Sequence, residues 1–195
     1  MINRILMRLS LVPAGVVVLL LCSCASVSVP RPFGKPVSDK KIAEELEGGW
    51  SNDDGIFWMK SLGKGEFRLA SVEWNEGSEA FKLKQMSVFL RAVGERQLLF
   101  VEGQEEIKGE EQLRYFLMAF DGVKDGTAVL RSMRVDQLAA YVRDGTLAGT
   151  VEGKHTVRLE KEAEVALEEL IKGQPEDVID LKDFSVIQRV TDRKK

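Results

Sequence analysis

The sequence predicts a mainly β fold with a minor helical part. The expected architecture is an antiparallel up-and-down barrel of about eight strands, with a helix packed outside near the C-terminus. Three observations predict it. From Trp50 onward, runs rich in β-branched and aromatic residues alternate with Gly, Asn and Asp turn signals roughly every ten residues. One of those runs is apolar on both faces, which a strand with a wet outer side would not be. One amphipathic helix then follows, before a last strand run.

Ahead of the strands, residues 25–40 read as a Pro-rich tether. Pro30, Pro32 and Pro36 bias it toward extended polyproline II, at ~3.1 Å per residue. Ser38 or Asp39 then caps a short helical turn over Asp39–Leu46. The strand runs are Ile56–Lys60, Glu66–Trp74, Ala80–Val93, Gln97–Glu102, Gln112–Asp121 and Thr127–Val135. Between them lie Gly63-Lys64-Gly65, Asn75-Glu76-Gly77, Gly94-Glu95 and Lys124-Asp125-Gly126, each able to supply the positive φ of a tight hairpin.

Asp136 is placed to cap a helix over Gln137–Arg143, with Leu138, Tyr141 and Val142 on one face. A hairpin follows, Thr146–Val151 and His155–Leu159. The next helix, Glu160–Lys172, repeats Ala163, Ala166, Leu167, Leu170 and Ile171 at i, i+3, i+4, i+7, i+8. Gly173 and Pro175 mark its end. Phe184–Val190 reads as the last strand. The two-faced run is Gln112–Asp121. There Leu113, Tyr115, Leu117 and Ala119 oppose Phe116, Met118 and Phe120, and the Glu160–Lys172 helix is the expected cover for the outer side.

Composition excludes several functions. The net charge is −3 with both signs interspersed, so there is no electrostatic footprint for nucleic acid. No phosphate-cradling loop, zinc-protease helix, nucleophile elbow or calcium loop is present. His155 is the single histidine and sits at a hairpin shoulder without a nucleophile context. Asp53-Asp54 and Glu105-Glu106 read as turn and solvated-loop acids, as does the whole acidic segment Glu102–Glu111. The chain is therefore read as non-enzymatic, with no catalytic residue, no metal site and no cofactor.

The leader carries Arg4 and Arg8, an apolar run Leu9–Leu21 and the ending Leu21-Cys22-Ser23-Cys24. That run is shorter than the ~20 residues of a spanning helix. The ending resembles the lipobox of bacterial lipoproteins, which implies cleavage before Cys24 and lipidation of that residue. The implied division is 1–23 signal peptide, 24–40 lipidated Cys and tether, and 41–192 barrel domain. The membrane partner is reached through acyl chains on Cys24, and two or more chains give a stable anchor. Ala25 in place of an Asp resembles sorting to the outer membrane, with the domain in the periplasm. With Cys22 discarded and Cys24 acylated, the mature body has no thiol and no disulfide.

Gly48-Gly49-Trp50 resembles the Gly-x-Trp signature that opens the first strand of lipocalins and lipocalin-like barrels. The resemblance implies that Trp50 plugs one barrel end beside Gly48 and that a late Arg, here Arg189, stacks on its indole. These three residues would be structural. Trp50-Ser51-Asn52-Asp53-Asp54-Gly55 is also similar to the opening of small bacterial barrel lipoproteins of unassigned function.

Two functional expectations compete. In the first, the barrel is a periplasm-facing binding module for an apolar or amphipathic small molecule, with Phe67, Leu69, Phe81, Leu83, Leu113, Tyr115 and Leu117 lining the pocket. In the second, a closed barrel core serves an envelope-structural or protein-interaction role, and the partner is an envelope protein.

Overall fold

The structure, a computed structural model, describes residues 26–52, 55–75 and 79–190. The chain begins with β1 (Ser26–Val29), the two-residue β2 (Lys35–Pro36) and helix α1 (Lys40–Leu46). A meander follows: β3 (Gly48–Asn52), β4 (Gly55–Gly63), β5 (Glu66–Asn75), β6 (Ala80–Val93), β7 (Arg96–Ile107), β8 (Glu110–Lys124) and β9 (Thr127–Met133). After helix α2 (Val135–Arg143) come the hairpin β10 (Gly149–Glu152) and β11 (Thr156–Leu159), then a 3-10 turn over Lys161–Ala163. Helices α3 (Glu164–Gly173) and α4 (Pro175–Val178) lead into the last strand, β12 (Ile179–Arg189).

Each strand from β3 to β9 pairs antiparallel with the next, and β12 pairs with both β9 and β3. The ring of eight antiparallel strands is closed, and a helix packs outside it near the C-terminus. Strand parity explains the two cores. Trp50, Phe57, Met59, Phe67, Leu69, Met86, Val88, Leu99, Met118 and Phe120 project inward and form one buried cluster. Leu98, Phe100, Leu117 and Ala119, of opposite parity, form a second cluster outside the barrel with Leu138, Leu167 and Ile171 from the helices. The two apolar faces of β8 thus belong to two different cores, and α3 covers the outer one.

The largest departure from expectation lies at the N-terminus. Residues 26–37, expected as a free tether, are part of the fold. β1 pairs antiparallel with β8 (Ser28 with Phe116) and parallel with β11 (Val27 with Val157). Phe33 is buried against Phe100, edge to face with ring centroids 5.0 Å apart. β2 then pairs with β6, and the Val37 amide donates to the Leu90 carbonyl at 3.2 Å. Val27, Val29 and Phe33 bury apolar surface that a solvated tether would expose. The segment is a strap across the outer face of β6–β8.

Other boundaries shift for local reasons. Asp39 caps α1, accepting from the Lys41 amide at 2.8 Å. Arg134, rather than Asp136, is the N-cap of α2, and Asp136 sits in its first turn. The helical run expected over Glu160–Lys172 starts with the 3-10 turn, and Pro175 opens α4 because a first-turn proline gives up no needed hydrogen bond. The β10–β11 hairpin joins β1 in an accessory sheet beside β8 and lies outside the closed ring.

Candidate functional site

One end of the barrel is sealed by α1, by Gly48 and Trp50 just after it, and by Arg189 from the far end of the chain. Trp50 is fully buried, and its indole N–H donates to the Leu46 carbonyl at 2.7 Å. Arg189 faces Trp50 across the β12–β3 ladder, with its guanidinium carbon 5.6 Å from the ring centroid. That guanidinium also donates to the Glu45 carbonyl at 3.1 Å and to the Glu47 carbonyl. These carbonyls end α1, so a cation there satisfies groups the helix leaves open. Gly48 has φ +131, and a Cβ on it would stand 2.9 Å from an Arg189 nitrogen. The arrangement locks the helix over the barrel end and offers no reacting group.

Glu47 extends the same seal. Its carboxylate accepts from the Lys60 ammonium at 2.6 Å and from the Ser61 amide at 3.2 Å, and these two bonds, the Lys60 one foremost, hold its pKa below the usual carboxylate value.

The expected pocket-lining residues separate into three environments. Phe67 and Leu69 are packed inside the barrel among other large side chains. Leu117 and the half-buried Tyr115 belong to the outer core, where Tyr115 meets Phe89 edge to face at 5.6 Å. Burial, with the Glu102 charge adding to it, pushes the Tyr115 hydroxyl pKa up. Phe81, Leu83 and Leu113 are exposed. Strand parity puts Tyr115 and Leu117 on the outside, while β6 and β8 run past the barrel and leave the other three in solvent. These seven residues therefore do not converge on one cavity.

Sequence reasoning missed a buried polar cluster at the junction of β1, β7, β8 and β11. Glu105, read as a solvated loop acid, is a strand residue. It accepts from the Ser28 hydroxyl at 2.9 Å and the Arg158 guanidinium at 2.7 Å. Arg114 is buried, donating to the Ser28 hydroxyl at 3.1 Å and to the carbonyls of Ser28 (3.1 Å) and Leu159 (2.6 Å). Desolvation lowers its pKa, although Glu160 and Glu105 nearby oppose that. The cluster sits where β1 is paired with β8 on one side and β11 on the other. Its signal in the sequence was Arg114, a cation in phase with Phe116, Met118 and Phe120 on β8.

Cys24, Asp53 and Asp54 lie outside the described residues. His155 is exposed, and its carbonyl accepts from the Ser26 amide at 2.7 Å. Among the described residues, no group of three or more His, Cys, Asp or Glu side chains could hold a metal ion.

No family model and no solved structure matches the chain. Over 123 residues it is 28% identical to the major capsid protein of Acyrthosiphon pisum secondary endosymbiont phage 1. The matched stretch covers 61% of this chain and 26% of that protein, so the chain spans about a quarter of the length of the curated relative it matches.

Proposed function

We propose that this chain is a non-catalytic envelope lipoprotein, anchored in the outer membrane through acyl chains on Cys24. Its closed barrel would serve a structural and protein-interaction role in the periplasm. The observation that carries this reading is the filled barrel interior. Trp50, Met59, Phe67, Leu69, Met86 and Phe120 occupy the space a ligand would need. A small eight-stranded barrel either fills its interior with side chains or holds one small ligand. The dispersal of the seven expected lining residues weakens the ligand reading further. The likeness to a phage major capsid protein, a structural protein by its name, points the same way.

The strap changes what the anchor would do. Cys24 stands two residues before Ser26, where β1 begins. Two residues span at most ~7 Å, so acyl chains at Cys24 would hold the accessory sheet against the bilayer surface.

Native mass spectrometry of the purified protein, with extraction of bound lipid, tests the choice between the two roles. The expected result is a clean protein that captures an envelope partner from intact cells after cross-linking. A stoichiometric lipid or metabolite in the extract would overturn the structural reading and restore the binding-module one.

A further inference from the structure

The outer wall of the barrel is covered on one side only. On β7 and β8 the outward residues Leu98, Phe100, Leu117 and Ala119 lie under the helices and the strap. On β4, Phe57 and Met59 point into the barrel core, so Ile56 and Trp58 beside them point out. Among the described residues nothing covers these two, which are 64% and 59% exposed. Val72 on β5 and Leu83, its partner on β6, continue the same wall at 60% and 64% exposure. On the other flank, Val186 of β12 and Val190 just past it are exposed as well. The Trp58 indole lies across Gly49, its partner on β3. A Cβ there would stand 2.9 Å from a ring carbon and 3.4 Å from the Val190 Cβ. The missing side chain at Gly49 thus seats a broad aromatic surface on the sheet and leaves its other side to solvent.

Charge constrains what this wall can receive. Lys60 is tied to Glu47 at 2.6 Å and Glu66 to Arg91 at 3.7 Å, which leaves Arg68 as one further cation. Ser51, Ala70, Gln85 and Gln188, which stand among the apolar residues, are neutral. An acidic or a basic partner would meet no complementary field here, and an anionic bilayer is held by clusters of cations rather than by one. The expected anchor also lies elsewhere. β1 is paired with β8, and in the ring of eight strands β8 stands opposite β4, with three strands between them on either path. Acyl chains two residues before β1 would attach on the far side of the barrel from Trp58.

We propose that this wall, centred on Trp58, is the face through which two copies of the chain associate about a two-fold axis. A two-fold contact sets one surface against itself, so an apolar and nearly neutral face is its own complement. The two Arg68 side chains stand on opposite sides of an axis through Trp58 and are not forced together. The exposed surface of the six apolar side chains, with the polar residues among them, comes to about the 800 Å² per partner that a standard interface buries. Monomers rarely leave contiguous apolar surface of more than a few hundred Å² to water. Tryptophan is also among the residue types that most often anchor such contacts. Copies anchored in one leaflet would meet at a raised local concentration. The proposal gives the interaction role above a first partner and rests on that reading.

Cysteine cross-linking of the full chain in intact cells tests it, with wild type giving the background from its own cysteines. Ile56→Cys should form a disulfide-linked dimer on mild oxidation, while Val165→Cys, exposed on α3 over the covered wall, should not. Sedimentation of the purified protein should show a dimer that Trp58→Lys weakens at least about 30-fold, the scale of losing one aromatic anchor. Leu83→Lys should act in the same direction, and both variants should keep the wild-type circular dichroism spectrum. No dimer linked through Ile56→Cys, equal linkage through Val165→Cys, or a dimer that survives both lysine variants overturns the proposal. Linkage of Ile56→Cys to a different protein also overturns it, while leaving the interaction role standing. A monomer whose Ile56→Cys thiol is shielded from a water-soluble maleimide overturns it in favour of the bilayer. A stoichiometric lipid in the extract with the dimer intact would instead sink the structural reading and leave this face standing.

Discussion

At Trp50, one side chain links three parts of the chain. Its ring fills the barrel end, its N–H satisfies the last turn of α1 and its face carries Arg189. Trp50→Ala should cost roughly 3–5 kcal/mol, as buried aromatic truncations do. Urea denaturation measures it, and an unchanged midpoint would remove the seal from the stability account. The carboxylates make a second prediction. Asp180 accepts from the amides of Lys182 and Asp183 at 2.8 and 3.1 Å, and these bonds lower its pKa, as Lys60 and Ser61 lower that of Glu47. A depressed folded pKa contributes stability that is present above the unfolded value of ~4 and lost as pH falls through the folded one. Asp180→Asn keeps an acceptor oxygen but cannot titrate. Its stability should therefore fall less steeply than wild type below about pH 4 in urea titrations. Trp50 and Arg189 were named through a resemblance, the Gly-x-Trp opening and its late Arg, and not through any contact that spacing alone shows. Glu105 was not legible, because its partners Ser28, Arg114 and Arg158 come from strands that only folding brings together.

Among the elements, the strap is the most informative. A residue in a free tether can be truncated without cost, whereas Phe33 is buried on Phe100. Phe33→Ala should destabilise the domain by about 3–5 kcal/mol. A melting temperature equal to wild type would return the segment to a tether. The helices and most strands could be read from period and punctuation. β6 matches its expected run Ala80–Val93, whereas β7 and β8 extend past theirs, to Ile107 and from Glu110, because their polar outer portions pair with each other. Val27 and Val29 alternate like a strand, but four residues beside three prolines carry too little pattern to outweigh the reading of a linker.

For the whole molecule, the barrel and its outer layer behave as two cores sharing β6, β7 and β8. If Cys24 carries the anchor, Cys24→Ser should shift the protein from the membrane pellet to the soluble fraction without changing its melting temperature. Persistent pelleting would contradict acylation there. The barrel class, the approximate strand number and the outside helix followed from hydrophobic period, turn residues and the two-faced run of β8. These are local properties that any chain segment carries with it. Tertiary structure alone decided that the N-terminal segment straps the barrel and that the β10–β11 hairpin stays out of the ring. Each depends on which distant strand wins a shared partner. β1 takes the part of β8 that β9 leaves, and that competition is settled by packing between residues far apart in sequence.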